Sequence, residues 1–412
     1  MEKIKVGIIG FGCRSYGMTS ILLGFDDVEV VAVCDKYEDR VENGLKLVKE
    51  KRGNDAFGTT NYKELLAIKE IDAVYIATDW NMHFPIAIDS LNAGKSTALE
   101  VGGAYSVEDC WALVDAQEKT GTPFMFMENC CYNREELLAT AIARTGKLGR
   151  LVHLSGAYGH DLRNEVTRGK ENRHYRLNEY LTRNCENYPT HELGPMAKAL
   201  NINRGNRMVS LVSVATGSFG MEEYVESNKD NINPDLIGVD FAQGDVVHTI
   251  ITCENGETMM LRLDTSLPRS YNREFTIRGT KGMYEQISNS VYFDGQPEFW
   301  SSLEYIDKYK NSAEEFKDLL PHEWKIITKE ALEAGHGGMD YVELREFIDR
   351  VKDGGEMQCD IYDAASWMVV ACLSEKSIKE GGAPQQIPDF TRGAYKTRKP
   401  QDVLTFGGAQ NG

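Results

Sequence analysis

Five short apolar runs punctuate the first third of the chain: KIKVGII (3–9), VEVVAVCD (28–35), AVYIAT (73–78), STALE (96–100) and PFMFMEN (123–129). Each is apolar almost throughout, not at every second residue, as in strands buried on both faces of a parallel sheet. Stretches with helical spacing, such as 107–119, lie between them. Strand and helix in alternation predict an α/β Rossmann domain with a doubly wound parallel sheet over residues 1–130.

From about Leu151 the pattern changes. LVHLSGAYG, MVSLVSVATG, GDVVHTIITCENGETMMLRLDT and REFTIRGTKGMYE are longer and alternate apolar with polar residues, as strands with one wet face do. ENGE (254–257) puts Asn-Gly at the centre of a hairpin turn. Residues 131–412 therefore read as an α+β domain on a large, open, mostly antiparallel sheet. Within it, 289–329 reads as polar and irregular, and 399–412 as a loose tail. An open sheet face needs a cover, and a second copy of the chain is the expected one, making a homo-oligomer.

Composition narrows the classes of partner. With Lys+Arg 46 against Asp+Glu 63, the net charge of −17 argues against nucleic acid, which needs a basic face. No apolar run reaches membrane length, so no membrane partner is expected. The first strand begins at once, so the cytoplasm is the expected compartment, although a trimmed export signal would leave the same appearance. Nine cysteines, scattered singly except for Cys130 and Cys131, form no CxxC pair and read as reduced thiols. No set of His, Cys and acidic residues has metal-ligand spacing, and no metal is expected.

Chemistry enters at VGIIGFGCRSYG, where Gly10-x-Gly12-x-x-Ser15 follows the first strand and opens the first helix. Glycines there permit a tight turn and bring backbone N–H groups to a pyrophosphate; Gly10, Gly12, Cys13, Arg14 and Ser15 are the expected contacts. Asp35 closes the second strand, where a carboxylate accepts from a ribose 2′-hydroxyl and repels a 2′-phosphate, favouring NAD. Farther on, NYPTHELGP sets Tyr188 and His191 three residues apart. HELGP lacks the second histidine of HExxH, which removes the zinc-hydrolase reading. The helix begins either at Pro195 or, with a kink, from Thr190. In both cases the positive end of the backbone dipole opposes a charge on the His191 ring. Tyr158 and His160, two apart at a strand end, share one face, while Asp161 and Arg163 fall on the other as an ion pair or loop anchors. A neighbouring histidine would lower the Tyr158 pKa and make the phenol a base. In GHGGMDY, glycines flank His336, and Asp340 either orients it or caps the next helix.

The Rossmann half, IDAVYIATDWNMH, the glutamate ending TALE and an open-sheet second domain resemble the glucose–fructose oxidoreductase and inositol dehydrogenase-like proteins. Sugar dehydrogenases of that family carry Glu-Lys-Pro after this strand; here Glu100-Val101-Gly102 lacks the lysine. A narrower likeness covers nearly the whole chain. EDCWALVDAQEKTG, MENCCYNR, GAYGHDLR, NYPTHELGP, NINRGNR, LPRSYNREFTIRGTKG, GHGGMDY and EGGAPQQIPDFTRG are similar to the NAD-dependent glycosidases of glycoside hydrolase family 109, whose named activity is α-N-acetylgalactosaminidase. Three positions depart from it: Glu192 stands for the usual glycine, Gly102 for proline, and the glycine fingerprint ends in Ser15.

The resemblance implies a redox-neutral glycosidase with NAD held throughout. Sugar C3 is oxidised, C2 loses a proton, the aglycone leaves C1, water adds and the hydride returns. It implies His191 at the C3 hydroxyl, Tyr158 and His160 at the C2 proton and the leaving oxygen, and Tyr188 and Tyr271 as further hydroxyls. Thr78, Trp80, His83, Glu100, Glu128 and Asn129 are the remaining expected cofactor contacts, and Glu192 and His336 lie at the sugar. The alternatives are an NAD-dependent sugar or cyclitol dehydrogenase with net NADH production, and an NAD-bound sugar sensor.

Overall fold

Val6, Ile8 and Ile9 are fully buried in β1 (Ile4–Ile9), the strand about which the first sheet is organised. The computed structural model describes residues 3–407. β1 is joined by β2 (Val28–Cys34), β3 (Phe57–Thr59), β4 (Ala73–Ile76), β5 (Ser96–Glu100) and β6 (Phe124–Met127) in the order β3-β2-β1-β4-β5-β6. Every pair is parallel. The order reverses between β1 and β4, and the crevice at the carboxyl ends of those strands is where such sheets bind ligands. Five of the six strands stand where the apolar runs put them; β3, three residues long and mostly exposed, has no such run.

Two compact units make up the chain, and the first is discontinuous: it runs to Gly102 and adds Ser106–Asn133 and Glu323–Ala365. A single boundary near residue 130 assigns the last segment to the second domain; the structure folds it into the first. The Phe126 N–H on β6 donates to the Cys359 carbonyl at 2.8 Å, covering the edge of the sheet. Trp324 Nε1 donates to the Tyr132 carbonyl at 2.9 Å. Arg345 grips Asp27 at 2.9 and 3.1 Å. A buried edge strand needs such partners for its backbone.

The second unit carries an eight-stranded sheet of β7 (Leu151–Gly159), β8 (Met208–Ala215), β9 (Val246–Cys253), β10 (Thr258–Asp264), β11 (Thr276–Gly279), β12 (Gly282–Glu285), β13 (Ser290–Phe293) and β14 (Gln385–Gln386). Its order is β13-β12-β11-β7-β10-β9-β8-β14. Only β7 and β10 pair in parallel; the other neighbours are antiparallel. On β9, Val247, Thr249, Ile251 and Cys253 are buried while His248, Ile250 and Thr252 face outward. The ENGE turn joins β9 to β10, and only Gly256 of its Asn-Gly pair takes a positive φ, +97°.

Three expectations are corrected here. REFTIRGTKGMYE is not one strand but the hairpin β11–β12. Residues 289–329 are not irregular: they hold β13 and the helix Ser302–Tyr309. The stretch from Lys399 is anchored, because Asp402 meets Arg144 at 2.8 Å and Val403 and Leu404 are buried; residues 408–412 lie outside the described part. Among the described residues no helix is long and apolar enough to cross a membrane.

Candidate active site

The glycine turn is built for close approach. Gly10 has φ +88°, and a Cβ there would stand 2.3 Å from the Ala77 carbonyl oxygen, so only glycine fits. Gly12 holds the N-cap of the helix Cys13–Leu22 and brings no side chain of its own to it. The nearest atom to a Cβ on Gly12 is Arg40 Nη1 at 3.8 Å. Orphan N–H groups at an unencumbered helix start fit a pyrophosphate. Asp35 supports the turn as well as ending β2: Oδ2 accepts from Phe11 N at 2.7 Å and Oδ1 from Tyr37 N at 3.0 Å. Arg40, unmarked by any motif, stands 3.8 Å from Asp35. Cys13 is exposed on the first turn. Ser15 is fully buried in the packing of its helix, which leaves only its backbone N–H for a cofactor.

Arg14 faces protein carboxylates. It meets Glu100 at 2.8 Å and Asp340 at 2.6 Å. Glu100 also accepts from Tyr75 Oη at 2.7 Å, and Asn129 Nδ2 donates to Asp340 Oδ1 at 2.6 Å. Glu100, Arg14 and Asn129 therefore tie the fingerprint helix to the returning helix Met339–Asp353. Asp340 orients His336 through a 2.7 Å bond to Nδ1, and Gly338 holds the N-cap position. The same Nδ1 lies 3.2 Å from Arg14 Nη1. It cannot donate to Asp340 and accept from Arg14 at once, and the shorter contact decides. Burial pushes the Asp340 carboxyl up, but Arg14 and His336 hold it well below the usual carboxylate range. The His336 side chain is 58% exposed.

Of the other expected cofactor contacts, Thr78 is half-buried just past β4. Trp80 is buried against Gly102, where a Cβ would stand 2.7 Å from its Cδ1; that explains glycine at 102. His83 is 2% exposed and bonds the Thr78 carbonyl through Nε2 at 3.1 Å. Burial lowers its pKa to about 4, so the ring is neutral at pH 7. Glu128 is buried and accepts from Cys130 N at 3.1 Å.

In the second unit the structure brings Tyr158, His160, Tyr188, His191 and Tyr271 together. Tyr158 ends β7 with Gly159, and the helix Thr190–Ala199 packs on the same strand: a Cβ at Gly156 would stand 2.9 Å from Glu192 Cβ. The helix starts at Thr190 with Pro195 inside it, one of the two expected arrangements. The Tyr158 ring lies 4.6 Å from Tyr188, 5.5 Å from His191 and 6.2 Å from Tyr271 between centroids. Tyr188 meets His191 edge-on at 4.8 Å, and His160 meets Tyr271 at 5.2 Å. Tyr158 Oη and His160 Nδ1 are 3.1 Å apart. As expected, Asp161 and Arg163 form an ion pair, at 2.7 Å.

The electrostatics correct one expectation. Burial raises the Tyr158 phenol far above its ordinary pKa, against an opposing pull from Arg176. Burial, with help from Arg176, lowers the His160 imidazole. A buried phenol beside a neutral imidazole keeps its proton; His160 is too weakly basic to reverse the cost of burying a phenolate. Arg176 was not singled out from the sequence. Its guanidinium sits 4.7 Å over the Tyr188 ring and pairs with Glu165 at 2.9 Å. Only its place between aromatics in RHYRLNEY could have drawn attention to it.

Glu192 packs toward β7, close to Gly156. It is 1% exposed, since a helical step of about 100° turns it away from His191 and onto β7. Glu186 is also buried, and its Oε2 accepts from Thr249 Oγ1 at 3.4 Å. Burial raises the Glu186 carboxyl to about 8, so it keeps its proton at pH 7.

A glycine turn on β1 of a 3-2-1-4-5-6 parallel sheet defines the first unit as a dinucleotide-binding Rossmann fold. Residues 4–127 match the family described as "Oxidoreductase family, NAD-binding Rossmann fold". Residues 132–397 match "Glycosyl hydrolase 109, C-terminal domain". The chain belongs to glycosyl hydrolase family 109 and is a glycoside hydrolase. It is 37% identical to a "Glycosyl hydrolase family 109 protein" of Stenotrophomonas maltophilia, covering 99% of this chain and 93% of that one. It is 36% identical to the "Alpha-N-acetylgalactosaminidase" of Tannerella forsythia, covering 97% and 89%. Among solved structures it resembles levoglucosan dehydrogenase in complex with NADH and levoglucosan, with TM-score 0.66 and 17% identity over 94% of this chain and all of that one. The myo-inositol 2-dehydrogenase of Lactobacillus plantarum gives TM-score 0.66 at 15% identity, over 94% and 100%. At such identities the likeness is one of fold.

Proposed function

We propose that the protein cleaves α-N-acetylgalactosaminides, or glycosides close to them, by transient oxidation of the sugar, and that its cofactor is NAD. The cluster of Tyr158, His160, Tyr188, His191 and Tyr271 carries the reading. It is made of phenols and imidazoles, the groups that shuttle protons in an elimination, and not of the carboxylate pair of an ordinary glycosidase. The names of the relatives from Tannerella forsythia and Shewanella oneidensis support the sugar. Gly10, Gly12 and the first turn of the helix Cys13–Leu22 would hold the pyrophosphate, and Asp35 a ribose hydroxyl, which favours NAD over NADP. The chemistry that bound NAD supplies is reversible oxidation at sugar C3 with no net NADH.

The chain's own groups then divide the proton work. His191 accepts the proton of the C3 hydroxyl. A ketone at C3 acidifies the C2 hydrogen, and Tyr158 takes that proton while passing its own to His160, so no free phenolate is required. Arg176 supplies positive charge beside the Tyr158 and Tyr188 rings as negative charge grows.

The test is an assay in D₂O with NAD⁺ and chromogenic α-GalNAc beside a panel of α- and β-glycosides. Aglycone release, deuterium at product C2 and steady NADH absorbance at baseline are expected. Rising NADH with the glycoside intact would instead establish a dehydrogenase, and binding without either change a sensor.

A further inference from the structure

We propose that Tyr271 is the acid that protonates the departing aglycone oxygen, and that Arg273, clamped by Glu136, is the positioning residue that gives it this role. The proposal rests on the glycosidase reading above.

Tyr271 and Arg273 flank Asn272 in the segment between β10 and β11. Asn272 bridges Gly159 through bonds of 3.1 and 2.9 Å, and the Arg273 carbonyl accepts from Ala157 N at 2.6 Å. The segment thus runs beside the end of β7, and residues two apart in an extended segment face one side. That side holds the Tyr158 and His160 rings, 6.2 and 5.2 Å from Tyr271.

Arg273 Nη1 donates to Tyr271 Oη at 3.0 Å. A guanidinium has no lone pair, so the phenol oxygen is the acceptor in this bond and its single proton must point elsewhere. The donor cannot swing away. Arg273 Nε is held by Glu136 Oε1 at 2.6 Å, and the same oxygen accepts from Gln286 Nε2 at 2.8 Å. The Arg273 and Glu136 side chains are 9% and 2% exposed, and a buried pair of this kind keeps its geometry because separating it strands a charge. Tyr271 itself is 44% exposed, within reach of a ligand. The two phenols are therefore unlike: Tyr158 is buried against an imidazole, and Tyr271 is open and backed by a guanidinium.

In the step, the bond between C1 and the aglycone oxygen breaks and its electron pair stays on oxygen. That oxygen takes the Tyr271 proton, while the electrons released by loss of the C2 proton form the C1–C2 double bond. The tyrosinate left behind accepts from Arg273. When water adds at C1 its proton returns to Tyr271, closing the cycle.

The experiment measures kcat/KM of the NAD-loaded full chain on N-acetylgalactosaminides with 2,4-dinitrophenyl, phenyl and methyl aglycones. The proteins are wild type, Tyr271→Phe, Arg273→Lys and the double variant Glu136→Gln/Arg273→Gln, which leaves no buried charge unpaired. Loss of an acid costs about 100-fold or more where the leaving group needs a proton. All three variants are expected to show that loss with methyl and phenyl aglycones, and to stay near wild type with dinitrophenol, which leaves unaided. An equal loss across the series would overturn the proposal and make the residues structural. Wild type releasing no aglycone from any glycoside would overturn the glycosidase reading itself.

Discussion

His83 offers a decision between packing and cofactor contact. The ring is 2% exposed and bonded to the Thr78 carbonyl, and burial lowers its pKa from 6.5 to about 4. The unfolded chain therefore binds a proton that the folded ring refuses between those values. Stability contributed by the neutral ring is present above pH 6.5 and is lost as pH falls toward 4. Linkage puts the loss at about 1.4 kcal/mol by pH 5.5 and roughly 2.6 kcal/mol by pH 4.5. The perturbation is His83→Gln, whose amide nitrogen can still donate to the Thr78 carbonyl but cannot titrate. Urea denaturation at pH 7.5, 6.5 and 5.5 should show wild type losing about 1.4 kcal/mol more than the variant across that range. NAD affinity at pH 7.5 should stay within about threefold, under 1 kcal/mol. Parallel pH dependences would refute the burial argument, and a tenfold loss of NAD affinity would return His83 to the nicotinamide crevice.

Other expectations follow from the same geometry. Burial raises Glu186 to about 8, so the folded state holds the extra proton and stability falls as pH rises from the ordinary carboxyl range toward 8. Glu186→Gln cannot titrate, and its melting temperature should fall less between pH 6 and pH 9 than that of wild type. Asp35→Ala should weaken NAD about tenfold in a fluorescence titration, the value of one charge-assisted hydrogen bond. With Arg40 left in place it should also narrow the preference over NADP; unchanged preference would remove Asp35 from the ribose. On the outward face of the second sheet Val152, Val214 and Ile250 are about half exposed. We expect a second copy to cover them, and Val214→Lys with Ile250→Lys should shift sedimentation toward monomer.

The parts of this fold that were legible in the sequence are those whose local pattern has one structural solution. A run such as AVYI, with Gly10 and Asp35 at fixed offsets, leaves little but a Rossmann half. The five ring residues were legible because each sits in a short motif at a strand or helix end. What escaped depends on contacts distant in sequence. Ser290–Phe293 has no alternation of its own and becomes a strand only by pairing with β12. Arg273 and Glu136 are 137 residues apart, and nothing local marks either as the other's partner. Glu192 points away from its sequence neighbour His191, because successive residues on a helix face different directions. The bonds of Glu100 to Arg14 and Tyr75 are likewise invisible in sequence, because the partners lie 86 and 25 residues away.

The return of Glu323–Ala365 to the first unit sets an order on synthesis. A ribosome releases the glycine turn and all six parallel strands early, yet the edge of β6 has no Cys359 carbonyl to pair with until more than two hundred further residues have emerged. Through that interval the nascent dinucleotide domain carries an open, apolar strand edge, the kind of surface that chaperones retain and that drives misassembly. A fragment ending after β6 would carry the whole fingerprint and still be an unfinished protein.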